Sequence, residues 1–129
     1  MSSSQPNRRK HVRVSVDLEV ELLSGEKRNL KGKCRNLSAK GMLFESYQRF
    51  ETGTICNLVI YTGDERYYPT IHLRGKVMRT EANGFGIEFF AINFQDFDAL
   101  KNLIIFYAPD PEEAELEFQK FLKLERLND

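Results

Sequence analysis

Apolar and polar residues alternate without interruption between residues 12 and 22. The apolar positions are Val12, Val14, Val16, Leu18, Val20 and Leu22. Because successive side chains of a β-strand point to opposite faces, a period of two predicts a strand with one face buried and the other in water. This segment therefore predicts an early strand that contributes to a core.

Five further segments have the composition of short strands. They cover about residues 28 to 37, 42 to 46, 55 to 61, 70 to 80 and 85 to 90. Turn residues separate them, including Ser24-Gly25-Glu26 and a tight hairpin at residues 81 to 84, where Gly84 is expected to take a positive φ. Six short strands at this spacing predict a mainly β fold, a six-stranded antiparallel β-barrel, because closure hides the sheet edges.

The apolar period lengthens to three or four residues after Asn93. The residues on this period are Phe94, Phe97, Leu100, Leu103, Ile104 and Tyr107. They predict a helix that lays one apolar face on the barrel. Pro109 ends this helix, and Asp110 and Pro111 supply the N-cap and the first position of a second helix over about residues 111 to 127.

The second predicted helix carries two apolar stripes. One consists of Ala114, Phe118, Phe121 and Leu122, and the other, roughly opposite, consists of Leu116, Leu124 and Leu127. The first stripe predicts burial against the domain. Three interpretations of the second stay open: it is a surface for self-association or for a partner, it is covered within the domain, or its leucines are merely scattered near a terminus.

Composition narrows the class of protein. The chain has 129 residues, of which 41% are hydrophobic and 29% are charged, so we expect one globular domain with a single core. Its formal net charge is zero, so any electrostatic attraction to a partner must be local. No stretch approaches the roughly 20 apolar residues of a membrane span, and the opening MSSSQPN lacks the apolar run of a secretory signal. We therefore expect a cytoplasmic protein.

The inventory of reactive side chains gives no argument for an enzyme. Cys34 and Cys56 stand 22 positions apart without a metal-binding spacing, so we expect reduced, buried thiols. His11 and His72 have no catalytic or metal-ligand neighbours at a known spacing, and His72 is expected to face water. We predict no catalytic residues, no metal site and no cofactor.

The segment NRRKHVRV, residues 7 to 14, places three arginines, a lysine and a histidine close together. One interpretation is a solvated basic tail. The other is an anion site in which Arg9 and Arg13 hold phosphate groups and Arg8 lies against a flat ring, since a guanidinium both donates paired hydrogen bonds and stacks on aromatic rings.

A second polar cluster, NLSAKG at residues 36 to 41, interrupts the strands. Asn36 offers a donor and an acceptor to a base edge, Ser38 offers a hydroxyl, and Gly41 lets the backbone turn or approach a ligand closely. A hairpin around residues 24 to 27 would bring Arg13 to the same end as Asn36. The two clusters would then form one site whose residue types suit a guanine nucleotide.

Together these motifs resemble a known signature. RKHVR, in which Arg9 and Arg13 flank three residues, followed by NLSAKG, resembles the two-part signature of the PilZ domain, a bacterial receptor for cyclic di-GMP. The later segments RGKVMR and GFGIEF also resemble the closing strands of that family, so the likeness covers about residues 8 to 107. It divides the chain into a flexible tail (1–8), a barrel with its first C-terminal helix (9–107) and an additional C-terminal helix (108–129).

The resemblance implies a site on the outside of the barrel. Arg9 and Arg13 would hold phosphate and guanine groups, and Asn36, Ser38 and Gly41 would form the other wall. The family residue just before the arginine motif influences whether one ligand molecule or a stacked pair is bound. Here that residue is Arg8, which is compatible with the pair.

The implied mechanism begins in the tail. Residues 1 to 8 lack a burial pattern, so we expect them to be mobile until two phosphates draw the arginines onto the barrel and change the surface offered to a protein partner. The resemblance suggests control of motility, biofilm or exopolysaccharide production. Two alternatives stay open. One is a PilZ-like interaction domain that works without nucleotide. The other is a weak nucleic-acid-binding module using the basic N-terminal segment with Lys31, Lys33 and Arg35, which the zero net charge disfavours.

Overall fold

The computed structural model describes residues 12–25, 28–63 and 69–128, with side chains described through residue 120. The predicted tail at residues 1 to 8, together with Arg9, lies outside the described residues. Over its described residues, neither helix is long and apolar enough to cross a membrane.

Six strands form the β part of the protein. They are β1 (Val14–Ser24), β2 (Asn29–Leu37), β3 (Gly41–Glu45), β4 (Ile55–Tyr61), β5 (Thr70–Glu81) and β6 (Gly84–Ala91). They close into a barrel in the order β1-β2-β3-β6-β5-β4, and every neighbouring pair is antiparallel. The predicted six-stranded antiparallel barrel is therefore confirmed, and each predicted strand end lies within two residues of the observed one.

The core fills the inside of this barrel. The apolar residues at every second position of β1, from Val14 to Leu22, are all buried. They meet the inward side chains of the other strands, among which the rings of Phe44 and Phe85 pack with centroids 5.3 Å apart. The two-residue period of the sequence thus becomes an inside and an outside surface.

The tight hairpin between β5 and β6 is confirmed, but the reason predicted for its glycine is wrong. Glu81 pairs with Gly84 across a loop of Ala82 and Asn83. The glycines with positive φ are Gly53 and Gly63, so the turn does not need Gly84 in a left-handed conformation. A Cβ at Gly84 would instead collide with the carbonyl oxygen of Phe44 on β3, so glycine is required by the close approach of two strands.

Two helices follow the barrel, α1 (Phe94–Tyr107) and α2 (Pro111–Asn128). Both begin with side-chain caps, of which only that of Asp110 was predicted: Asn93 Oδ1 accepts from the amide of Asp96 at 2.8 Å, and Asp110 Oδ1 accepts from the amide of Glu113 at 3.2 Å. Each cap satisfies a backbone donor that the helix leaves unpaired.

The buried face of α1 is shorter than the sequence period predicted. Phe97, Leu100 and Ile104 are buried, and α1 contacts β1 and β5, but Phe94 is 81% exposed and Tyr107 is 39% exposed. A helical side chain leans over the turn that precedes it, and Phe94 is the first helical residue, so its ring projects beyond the packed part of the helix. The prediction that Phe94 and Tyr107 belong to the buried face was wrong.

Helix α2 packs on α1 through the first of its two predicted stripes. Ala114 and Phe118 are buried, and the Phe118 ring meets Phe97 edge to face with centroids 5.7 Å apart. On the opposite stripe Leu116 is 57% exposed, as the interaction-surface interpretation requires. The side chains of Phe121, Leu122, Leu124 and Leu127 lie outside the described residues.

Both cysteines are buried and free, as predicted. Burial raises the pKa of the Cys34 thiol to about 12, although a hydrogen bond with the backbone of Asn36 partly opposes this shift. Burial likewise raises the pKa of Cys56 to about 11. A low-dielectric interior disfavours the thiolate, which is the reactive form.

We expect the folded protein to resist thiol reagents at pH 8. With a pKa of about 11 or above, at most about one thiol in a thousand is ionised, against about one in ten for an ordinary cysteine. Labelling by a disulfide reagent, followed by absorbance, should be at least about a hundredfold slower than for N-acetylcysteine, and both thiols should react promptly in denaturant. Rapid stoichiometric labelling of the folded protein would contradict this assignment.

Candidate functional site

A groove of about 710 Å³ lies on the outside of the barrel, along the β2–β3 turn, β3 and the β5–β6 hairpin. Its lining residues are Arg13, Asn36, Ser38, Lys40, Gly41, Met42, Leu43, Met78, Arg79, Glu81, Gly86, Ile87 and Glu88. All four predicted site residues that the structure describes are in this set. Arg8 and Arg9 lie outside the described residues, and their part in the site stays a prediction.

Strand pairing brings Arg13 and Asn36 together across 23 positions of sequence. In the β1–β2 hairpin Val14 pairs with Leu37, and Ser15 pairs with Asn36, so Arg13 lies beside the end of β2. Its Nη1 donates to Asn36 Oδ1 at 3.2 Å. The hairpin argument from sequence therefore predicted this juxtaposition correctly.

A β-bulge helps to turn Asn36 outward. Cys34 and Leu37 are both buried although they are three residues apart, and the register between β2 and β3 shifts between Cys34 and Asn36. The extra residue leaves Arg35 exposed and Asn36 partly exposed, so two consecutive side chains avoid the core. Bulges at the rim of a barrel commonly redirect side chains in this way.

Ser38 builds the turn between β2 and β3. It is 1% exposed, and its Oγ accepts from the amides of Lys40 and Gly41, each at 3.2 Å. The same hydroxyl lies 3.4 Å from the Gly41 carbonyl, to which it donates. These contacts use the one donor and both acceptor positions of the hydroxyl. In this structure Ser38 thus shapes the wall of the groove, and a direct contact to a ligand stays a prediction.

Gly41 lets β3 lie close to β6. Its backbone pairs with Glu88, and a Cβ added to it would collide with the carbonyl oxygen of Ile87. The close approach expected of this glycine is therefore seen, but it is an approach to another strand of the barrel.

Arg79 forms the facing wall of the groove and was missed by the sequence analysis. It lies against Gly86, where an added Cβ would sit 3.5 Å from the guanidinium carbon, and its Nε donates to Glu81 Oε2 at 2.5 Å. A second bulge, between Val77 and Arg79, exposes both Met78 and Arg79. The sequence signal for this role was the last arginine of RGKVMR, at position 79. The strand period could not place it in the groove, because a period of two does not reveal a bulge.

The groove combines both signs of charge with a small positive excess. Its charged lining residues have a net charge of +1, from three basic residues (Arg13, Lys40 and Arg79) and two acidic residues (Glu81 and Glu88). Among the described residues, Arg13 hydrogen-bonds the neutral amide of Asn36, whereas Arg79 pairs with a carboxylate. The charge of Arg13 is therefore the more available of the two for an anion.

Two basic residues on the outer face of β2, Lys33 and Arg35, are paired with carboxylates. Lys33 and Arg35 lie 3.2 Å and 3.3 Å from Asp17, and Arg35 also lies 3.0 Å from Glu45. This pairing weakens the case for a nucleic-acid surface on the outer face of β2. His72 is exposed on β5, as predicted, and does not line the groove.

A sequence profile of the PilZ domain family matches residues 7–106, which include both signature segments. The chain therefore belongs to the PilZ domain family. A search of curated proteins found no significant match.

Solved structures with the same fold include several PilZ domains. The PilZ domain of YcgR from Escherichia coli, solved with c-di-GMP, has a TM-score of 0.65 and 14% identity, covering 88% of this chain and 98% of that one. The PilZ domain of CeSA from a cellulose-synthesizing bacterium has a TM-score of 0.57 and 14% identity, covering 72% of this chain and 94% of that one.

The Bacillus subtilis inhibitor of motility MotI, also named DgrA, has a TM-score of 0.61 and 24% identity. The similarity covers 75% of this chain and 49% of the MotI chain, so the match spans about half of that protein. At these identities the structures establish the shared fold.

The assigned role of Gly41 predicts a large effect of a single methyl group. Gly41→Ala should lower the free energy of unfolding by about 1 to 3 kcal/mol, because the added Cβ forces β3 away from the backbone of β6. Chemical denaturation followed by circular dichroism measures the change. Gly25→Ala is the matched control, since an added Cβ there meets nothing within 4 Å. Equal stability of the two variants would contradict the role of Gly41.

Proposed function

We propose that this protein is a non-enzymatic receptor that binds cyclic di-GMP in the groove on the outside of its barrel. One observation carries the proposal: Arg13, the second arginine of the family motif, meets Asn36, 23 residues further along the chain, in this groove. The groove volume of about 710 Å³ lies within the usual range of small-molecule sites, about 300 to 1,000 Å³.

Each residue of the groove has a proposed part in recognition. Arg13 offers a guanidinium fork to a phosphate or to O6 and N7 of a guanine. Asn36 holds Arg13 through one lone pair of Oδ1, which leaves a second lone pair and two amide hydrogens for a base edge. Ser38 and Gly41 support the wall from which these groups project.

The arginines that precede β1 complete the proposed site. Arg9 would add a second phosphate contact, and Arg8 would stack on a guanine ring, which suits a stacked pair of ligand molecules. Binding would draw this segment onto the barrel and change the surface available to a protein partner. Regulation of motility, biofilm or exopolysaccharide is the proposed output; MotI is named for inhibition of motility.

Replacing Arg13 should remove most binding without unfolding the protein. Arg13→Ala should weaken cyclic di-GMP binding at least about tenfold, because charge-assisted hydrogen bonds contribute about 1.5 to 3 kcal/mol each. The melting temperature should change little, since Arg13 is exposed and precedes β1. Calorimetric titration measures affinity and stoichiometry together, with GTP and cyclic di-AMP as competitor nucleotides.

Arg74→Ala is the matched control for that titration. It removes an equal charge from an exposed arginine of β5 that does not line the groove. Its affinity should stay within about twofold of the wild type. Normal binding by Arg13→Ala would show the site to be wrong, and no binding by the wild-type protein would favour an interaction domain that works without nucleotide.

Arg79→Ala tests whether the facing wall takes part. We expect cyclic di-GMP affinity to fall about threefold to tenfold, less than for Arg13→Ala, because Arg79 already pairs with Glu81. Lys76→Ala removes an exposed charge from the same strand outside the groove and should leave affinity unchanged. Equal affinities of the two variants would show that the ligand contacts only the wall of the groove that carries Arg13 and Asn36.

A further inference from the structure

A hydrogen bond joins the last helix to the backbone beside the groove. The amide of Val12 donates to Glu117 Oε1 at 2.6 Å, across 105 residues of sequence. Val12 immediately precedes Arg13, and its side chain packs against the core. The bond is partly buried, and a carboxylate acceptor makes it stronger than a bond between neutral groups.

Glu117 is held in place by the packing of α2. The next residue, Phe118, is 2% exposed and packs on Phe97 of α1, and Ala114, one turn earlier, is fully buried. Helix α1 in turn contacts β1 and β5. The Glu117 carboxylate therefore projects from a helix anchored to the barrel through two layers of packing.

The backbone that Glu117 holds has little other support. The pairing of β1 with β2 begins at Val14, and that with β4 begins at Glu19, so Val12 and Arg13 precede both ladders. Apart from the packing of the Val12 side chain, the described contacts at this point are Val12 with Glu117 and Arg13 with Asn36. Ordering an arginine and its backbone costs conformational entropy, and a contact that supplies this order beforehand favours binding.

We propose that Glu117 is a positioning residue: by fixing the Val12 amide it holds Arg13 in the groove and couples the docking of α2 to occupation of the site. The identity of the ligand in this inference rests on the proposed function, whereas the positioning of Val12 by Glu117 is independent of it. Because coupling is reciprocal, a bound ligand stabilises docked α2, and a partner that draws α2 away from α1 weakens ligand binding. The last helix is thus the output element of the site.

Three variants separate the hydrogen bond from the charge of the helix. Glu117→Ala removes the acceptor, Glu117→Gln keeps an oxygen acceptor without the charge, and Glu115→Ala removes an equal charge from an exposed neighbour on α2. In the ligand-free protein, NMR hydrogen exchange of the Val12 amide should quicken about tenfold in Glu117→Ala. It should quicken by a smaller factor, about threefold, in Glu117→Gln, whose neutral acceptor makes a weaker hydrogen bond, and it should stay near the wild-type rate in Glu115→Ala.

Affinity for cyclic di-GMP is then measured on the same proteins by calorimetry. Glu117→Ala should bind about fivefold to tenfold more weakly, Glu117→Gln about twofold to threefold more weakly, and Glu115→Ala with the wild-type affinity. Circular dichroism confirms that each variant is folded. If Glu117→Ala loses its helix, Glu117→Gln keeps the test decisive, because its smaller changes in exchange and affinity must still be seen together. In the wild-type protein, added ligand should slow exchange of the α2 amides.

Two results would overturn the inference. An unchanged Val12 exchange rate in Glu117→Ala would show that the carboxylate does not hold this backbone. Faster exchange with unchanged affinity would show that holding the backbone does not position Arg13 for the ligand. If the wild-type protein binds no cyclic di-GMP, the proposed function fails, and the exchange rate of Val12 still decides the positioning role.

Discussion

The close approach of β3 to β6 is the contact on which the barrel depends. β3 has five residues, and it is the strand that joins the β1–β2 hairpin to the β5–β6 hairpin. Glycines mark both ends of this pairing, Gly41 against the backbone of Ile87 and Gly84 against that of Phe44. A side chain at either point would separate the strands, open two sheet edges and separate the two walls of the groove.

Irregular pairing then gives the closed barrel its groove. Regular alternation would send every second residue inward, but one-residue bulges on β2 and β5 expose neighbouring pairs of side chains, Arg35 with Asn36 and Met78 with Arg79. Asn36 and Arg79 thereby face one another across the groove. Bulges cost ladder hydrogen bonds, and here two of them expose side chains on both walls of the groove.

The helices give this barrel a second layer that reaches back to the start of β1. Phe97 and Phe118 join α1 to α2, and the bond from Val12 to Glu117 links α2 to the residue before Arg13. The two chain segments that flank the barrel therefore meet beside the groove. Under the proposed function, the groove and the surface of α2 are connected through a few neighbouring residues without deformation of the barrel.

The sequence by itself determined the strands, the Asp110 cap of the last helix and the pairing of Arg13 with Asn36. These follow from local rules: a period of two, side chains that accept from helix amides, and a hairpin that returns the chain to its starting end. The RKHVR and NLSAKG segments also sufficed to indicate the family. Tertiary structure alone decided the bulges, the wall formed by Arg79, the strand contacts that require Gly41 and Gly84, the exposure of Phe94 and the reach of Glu117 to Val12. Each of these depends on atoms brought together from distant parts of the chain, and no local period of the sequence records such distances.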